Sequence, residues 1–175
     1  TTNITTSRTD MEYRFQRPQR ILRRCLVPAL LTVSTFATAA GNDLPAAVDL
    51  RAEVAQAKRA GGPLIVVFSR AECRYCETVK RDYLKPLEKN PNFNGVVIRQ
   101  INQDSDAAMT DFRGKKTTQA SFASAEKISL VPVVAFYGPN GKALADPLVG
   151  AGLPDFYQSY LEDAIAKSTA ALKAR

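Results

Sequence analysis

The sequence predicts an α/β domain built on a central mixed sheet of about four strands flanked by helices. A short, continuous apolar run of β-branched character, Leu64–Phe68, and a second buried strand, Val96–Ile101, alternate with segments whose apolar residues recur at helical spacing. Another run, Val133–Tyr137, leads into Gly138-Pro139-Asn140-Gly141 and a further apolar segment, and an Asn-Gly pair between two such runs signals a hairpin. Alternating elements need crossover connections and hence parallel pairing, whereas the hairpin adds an antiparallel edge. A chain of 175 residues suits one such domain with a sizeable core.

The elements follow in chain order. Residues 41–45 read as a short leader, and Ala46–Ala60 as a helix with Leu50, Val54 and Ala57 on one face, stopped by Gly61-Gly62-Pro63. Leu64–Phe68 shows no alternation, as expected of a strand covered on both sides. The next helix opens in the segment "AECRYC" and presents Cys76, Val79, Tyr83 and Leu87 on one side; Pro86 kinks or ends it, and "KNPNFNG" is loop. After the strand Val96–Ile101, residues 102–118 read as a polar, irregular loop with a small excursion at Asp111–Lys116, anchored on the core by Phe112. A helix over Gln119–Lys127, the strand Val133–Tyr137, a return strand around Ala143–Val149 and a helix from Pro154 complete the order. That last helix offers Phe156, Tyr160, Leu161, Ala164, Ile165 and Leu172 for packing.

The net charge of +7 divides unevenly. Residues 1–39 carry six Arg against Asp10 and Glu12, a net of +4, and leave +3 for the rest, an ordinary solvated surface and no footprint for nucleic acid. Lys115-Lys116 belongs to that surface. From Met11 a basic segment ends at Arg23-Arg24, an apolar run extends from Cys25 to about Phe36, and Ala37-Thr38-Ala39 forms an A-x-A pattern. This is the layout of a cleavable signal peptide cut near Ala39. The apolar run is too short and too diluted by Thr32, Ser34 and Thr35 for a spanning helix, so membrane contact is expected only through an uncleaved signal. The expected division is an N-terminal extension with signal over residues 1–39 and a folded domain over 40–175. After cleavage Cys73 and Cys76 are the remaining cysteines, in a compartment where disulfides form.

A C-x-x-C pair serves zinc, an inert bridge or reversible thiol–disulfide exchange. With no His and no second cysteine pair, a closed four-ligand zinc site within one chain is not available, although two chains sharing four thiolates remain an alternative. A bridge across so short a loop removes little unfolded-state entropy, which weighs against a purely structural role. The position favours exchange. Cys73 falls where a buried strand turns into a helix, and unpaired N–H groups there stabilise a thiolate. Cys76, one turn on, faces the apolar side and is placed to attack a mixed disulfide on Cys73. Cys73 is thus expected to be the exposed nucleophile and Cys76 the resolving thiol.

Over about residues 46–172 the chain resembles the thioredoxin-like superfamily. "PLIVVFSRAECRYC" is similar to that family's central strand and active-site motif, and "LVPVVAFYGPNGKAL" to its cis-proline loop, strand, turn and final strand. The resemblance implies a thioredoxin-like fold with Cys73 and Cys76 as the catalytic pair. It further implies that Pro132 is a cis-proline facing them and that Val131 offers backbone hydrogen bonds to a substrate segment. There are departures. Glu72 stands where cytosolic thioredoxins have Trp, Arg74-Tyr75 replaces Gly-Pro, and Val67 occupies the position of the buried Asp that accepts a proton beneath the second cysteine. Tyr75 is shared with glutaredoxins and periplasmic disulfide isomerases, and contacts substrate or covers the dithiol. Arg74 favours the Cys73 thiolate, whereas Glu72 and Glu77 oppose it.

The chain looks most similar to exported, periplasmic thioredoxin-related proteins of bacteria. The function this implies is an exported thiol–disulfide oxidoreductase exchanging with protein thiols and disulfides and with a redox recycling partner. No cofactor, metal or nucleic acid is expected, and the absence of a visible dimerisation segment implies a monomer. The competing reading is a non-enzymatic interaction module with a structural disulfide.

Overall fold

The computed structural model describes residues 44–152 and 154–174. The expected signal segment with its A-x-A pattern, and Cys25, lie outside the described residues. Four strands form the main sheet: β1 (Leu64–Ser69), β2 (Val97–Asn102), β5 (Val133–Tyr137) and β6 (Leu148–Val149), in spatial order β2-β1-β5-β6. β1 pairs parallel with β2 and antiparallel with β5, and β5 pairs antiparallel with β6, so the sheet is mixed. All six residues of β1 are buried, as its unbroken apolar run requires of a central strand covered on both faces.

Alternation along β1 and β5 sorts the core into two layers. Leu64, Val66, Phe68, Val133, Ala135 and Tyr137 pack with α1 (Leu50–Ala60) and α4 (Gln119–Ala125), through Leu50, Val54, Phe122 and Ala123. On the opposite face Ile65, Val67, Val134 and Phe136 meet Val79, Leu84 and Leu87 of the helix after the cysteines, and Tyr157, Leu161, Ala164 and Ile165 of α5 (Pro154–Lys173). Burying each large aliphatic or aromatic side chain contributes about 1.5–3 kcal/mol, so these layers supply most of the drive to fold.

Several elements differ from expectation for identifiable reasons. The first helix begins at Leu50, not Ala46: Asp49 caps it by accepting from the Ala52 amide at 3.0 Å, while Ala46 is drawn into a parallel bridge with Gln100. At its end the chain passes so close to β2 that a Cβ on Gly62 would sit 2.2 Å from the Gly95 carbonyl oxygen.

The helix after the cysteines is three joined pieces, α2 (Arg74–Thr78), a π segment (Val79–Leu84) and α3 (Lys85–Glu88). Pro86 has no N–H to give the turn before it, and the wider π turn lies directly upstream. The extra residue moves the buried face on by one, so Leu84 is buried where Tyr83 was expected, and Lys80 turns inward.

Residues 102–118 are not an irregular loop. They hold a hairpin of β3 (Ala108–Thr110) and β4 (Lys116–Thr118), strands too short to show a period in the sequence. Asp111 builds its turn by accepting from the amides of Arg113 and Lys115, both at 2.8 Å. Phe112 does anchor the segment, against Tyr137 at 4.8 Å and Phe122 at 5.8 Å between ring centroids.

α4 starts on a Thr118 cap and ends at Ala125, short of the expected Lys127, which adopts a left-handed conformation. The return strand shrinks to β6 with a bridge from Ala143 to Tyr137, because Asp146 and Pro147 interrupt the pairing. α5 buries Tyr157, Leu161, Ala164, Ile165 and Ser168, and leaves Phe156 and Tyr160 exposed, against expectation. Among the described residues no helix is long and apolar enough to cross a membrane.

Candidate functional site

The two cysteines stand at the end of the central strand. After Ser69 the approach segment Arg70-Ala71-Glu72 leads to Cys73, which is the N-cap of α2. The neighbouring loop pins this approach: the Gln103 amide donates to the Ser69 carbonyl at 2.8 Å, and the Ala71 amide donates to Asp104 Oδ2 at 2.9 Å. Glu72 sits at φ +53°, a left-handed conformation uncommon for a residue with a Cβ, held where the chain turns into the helix.

Cys73 and Cys76 are joined in a disulfide with their Cα atoms 5.2 Å apart. The Cys76 amide donates to Cys73 Sγ at 3.2 Å and the Glu77 amide to the Cys73 carbonyl at 3.0 Å. A sulfur that already accepts a backbone N–H at a helix start is in a setting that stabilises negative charge when the bond opens. Cys73 is 8% exposed and Cys76 fully buried. The expectation of an exposed Cys73 is therefore corrected: the first sulfur is the more accessible of the two but mostly covered, because its residue is folded into the cap.

Tyr75 is 59% exposed, with the Arg74 guanidinium 5.6 Å from its ring centroid, so both residues between the cysteines stand on the surface. Glu72 is exposed as well. Glu77 is not a free surface acid; its carboxylate lies 2.6 Å from the Lys80 ammonium. Val67 is fully buried among apolar side chains.

The Val131–Pro132 segment reaches the same end of the sheet. Val133 is paired with Phe68, which sets residues 131 and 132 beside the end of β1 from which the cysteine segment departs. The Val131–Pro132 peptide bond is cis. The Pro132 carbonyl accepts from the Gly150 amide at 2.8 Å, whereas Val131 makes no backbone hydrogen bond to another described residue. Next to it Leu130 is 68% exposed. A cleft of about 680 Å³ runs from the approach segment toward this loop, lined by Arg70, Gln103, Asp104, Ala123, Lys127 and Ile128.

Two residues of this region were not anticipated. Asp104, in a stretch read as featureless loop, holds the approach segment, and no local pattern marks it. Lys80, four residues after Cys76 on an otherwise apolar face, was visible in the spacing. Among the described residues no group of three or more His, Cys, Asp or Glu side chains is placed to hold a metal ion.

The family model for a thioredoxin-like domain matches residues 50–165. Among solved structures the chain is similar to mitochondrial thioredoxin 3 of Saccharomyces cerevisiae in its oxidized form, at 15% identity, covering 70% of this chain and 93% of that one, with a TM-score of 0.48. It is similar to Trxlp of Edwardsiella tarda EIB202 at 20% identity, covering 66% and 98%, with a TM-score of 0.47. A thioredoxin-fold protein of Helicobacter pylori follows at 19% identity, covering 65% and 84%, with a TM-score of 0.42. No curated protein matches the chain.

Proposed function

The chain belongs to the thioredoxin-like domain family, and from that premise we propose that it is a thiol–disulfide oxidoreductase acting on protein substrates through Cys73 and Cys76. The observation that carries this reading is the Cys73–Cys76 disulfide at the cap of a helix that follows a buried central strand. In the reductive direction the Cys73 thiolate attacks one sulfur of a substrate disulfide. A Cys73–substrate mixed disulfide forms and the other substrate sulfur leaves as thiolate. The Cys76 thiolate then attacks Cys73 Sγ, expels the second substrate sulfur and closes the Cys73–Cys76 bond. Two electrons pass to the substrate, and the released thiolates take protons from solvent. Oxidation of a client dithiol runs the same steps backwards.

Val131, which makes no backbone hydrogen bond among the described residues, and the adjoining Pro132 hold an extended substrate segment beside the pair, and Tyr75 and Arg74 contact it from the opposite side. With Val67 in place of a buried acid, the proton of Cys76 leaves by another route. The N-terminal basic segment, apolar run and A-x-A pattern support export to the periplasm, where a recycling partner restores the working redox state. The chain acts as a monomer in this reading.

The near-complete cover of Cys73 favours the alternative, an interaction module with a structural disulfide, and one experiment separates the two. A disulfide-bonded protein such as insulin is incubated with the enzyme and dithiothreitol. Wild type accelerates reduction, Cys73→Ser abolishes it, and Cys76→Ser accumulates a mixed disulfide through Cys73. No acceleration by wild type and no adduct on Cys76→Ser leave only the structural bridge.

A further inference from the structure

Lys80 is a buried charge that the steps above do not use. It lies in the π segment, is 1% exposed, and its ammonium is 2.6 Å from the Glu77 carboxylate, whose side chain is 41% exposed. Lysines are almost never fully buried unless paired, and burying one is costly, so its place needs a reason. Helix geometry relates it to the dithiol. Lys80 follows Cys76 by four residues, which puts the two on one face. Helical side chains lean toward the N-terminus, and the contact with Glu77, three residues earlier, fixes that lean here. The ammonium therefore lies back along the turn that carries the buried Cys76.

Among the described residues, the groups packed around this layer are mostly apolar or exposed. From the sheet, Ile65, Val67, Val134 and Phe136 present apolar side chains to this layer. From α5, Tyr157 packs on Tyr83 at 4.5 Å, and burial pushes its phenol well above the usual tyrosine range, so it stays neutral. Among the described residues, Arg70, Glu72, Arg74, Asp104 and Lys127 at this end are exposed and screened by solvent, and Glu77 faces Lys80 itself.

We infer that Lys80 is a positioning residue for the exchange reaction, whose buried ammonium stabilises the thiolate of the reduced Cys73–Cys76 pair. The inference rests on the dithiol reading. When two glutathione thiols reduce the pair, glutathione disulfide forms and two electrons and two protons are gained as two thiols. One thiol then releases its proton to solvent, and the ammonium stabilises that anion. The disulfide carries no charge and gains nothing, so Lys80 shifts the couple toward the reduced form and makes it more oxidising. Lys80 touches no substrate; it acts through the cysteines.

The test is a thiolate titration of the reduced protein by ultraviolet absorbance, together with its equilibrium against glutathione. Lys80→Met is expected to raise the titration midpoint by about one pH unit and to shift the equilibrium about tenfold toward the disulfide. Lys80→Arg restores both to within about threefold, which a purely space-filling role would not require. A folded Lys80→Met protein whose midpoint and equilibrium match wild type overturns the inference. Should Lys80→Met fail to fold, Glu77→Gln decides, since it changes a half-exposed side chain and removes one neutralising charge from the ammonium. Its midpoint is expected to fall by about half a pH unit and to stay down in about 0.5 M KCl, where exposed charges are screened but buried ones are not. An unshifted midpoint in that salt overturns the inference. If wild type exchanges nothing with glutathione, the oxidoreductase reading fails, while the titration of chemically reduced protein still decides the role of Lys80.

Discussion

Replacing Val67 by Asp would restore the acid that thioredoxins bury beneath the second cysteine, and the structure makes that change costly. Val67 is fully buried on β1, paired with Gln100 and Val134 and packed among Ile65, Val79 and Leu84. Losing the apolar side chain costs about 1.5–3 kcal/mol. Leaving a neutral carboxyl without a partner there costs about 1–3 kcal/mol more. Together about 2.5–6 kcal/mol is lost even when the acid is protonated. The pH dependence adds to this, with its sign fixed by burial. Desolvation raises the folded-state pKa of such a carboxyl above its unfolded value near 3.9, so the folded state binds the extra proton and stability falls as pH rises between the two. Each pH unit in that window removes about 1.4 kcal/mol, or about 2.7 kcal/mol from pH 5 to pH 7. Urea denaturation followed by circular dichroism, relative to wild type at each pH, measures both parts. A Val67→Asp protein as stable as wild type, or destabilised equally at both pH values, would refute the account of a dry apolar layer under this strand.

Three further outcomes follow from the same contacts. Burial, the larger cause, lifts the Tyr137 and Tyr157 phenols above their ordinary range, with the Glu126 carboxylate adding to the effect on Tyr137. Stability is therefore whole below about pH 10, where unfolded tyrosines begin to ionise, and falls above it by about 1.4 kcal/mol per pH unit for each residue. Tyr157→Phe should remove about half of that slope in urea midpoints taken across this range, and an unchanged slope would contradict it. Arg99 Nε lies 3.1 Å from Glu53 Oε1 between β2 and α1, in a pair mostly shielded from solvent. Arg99→Met should cost about 3 kcal/mol by leaving a buried carboxylate unpaired, and adding Glu53→Met should recover at least part of it. Strictly additive losses in thermal or urea unfolding would show no coupling. Tyr75→Ala, at an exposed position, should change stability by less than about 0.5 kcal/mol. It should slow exchange with a protein disulfide while leaving exchange with glutathione unaltered, and equal slowing of both would argue against a contact with protein substrates.

The strands and the cysteine pair were legible because their signals are local. An unbroken run such as Leu64–Phe68 can be satisfied only by a strand covered on both faces, and the run of Val133–Tyr137 into Asn140-Gly141 marks its own turn, with both turn residues at positive φ. What escaped depended on distant partners. Residues 108–118 became a hairpin because the Thr110 amide reaches the Val48 carbonyl and Phe112 packs between Phe122 and Tyr137, contacts that three-residue strands do not announce. The α5 face was misjudged because Phe156 and Tyr160 are as apolar as Tyr157, and only the position of Tyr83 and the sheet decides which is covered. At the site, the spacing indicated which of the two cysteines is the more accessible but not the degree of cover over Cys73. The backbone cap that covers it is a property of the turn, and Asp104, which holds that turn, comes from a different loop.

The most direct test of the central claim is the equilibrium of the Cys73–Cys76 pair with glutathione, quenched by alkylation and read as a mass difference between dithiol and disulfide. Reversible exchange predicts a smooth two-electron transition with a midpoint above about −300 mV, reached identically from the oxidised and the reduced protein. A pair that stays oxidised at every glutathione ratio, with a midpoint below that value, would make the bridge structural and contradict the account.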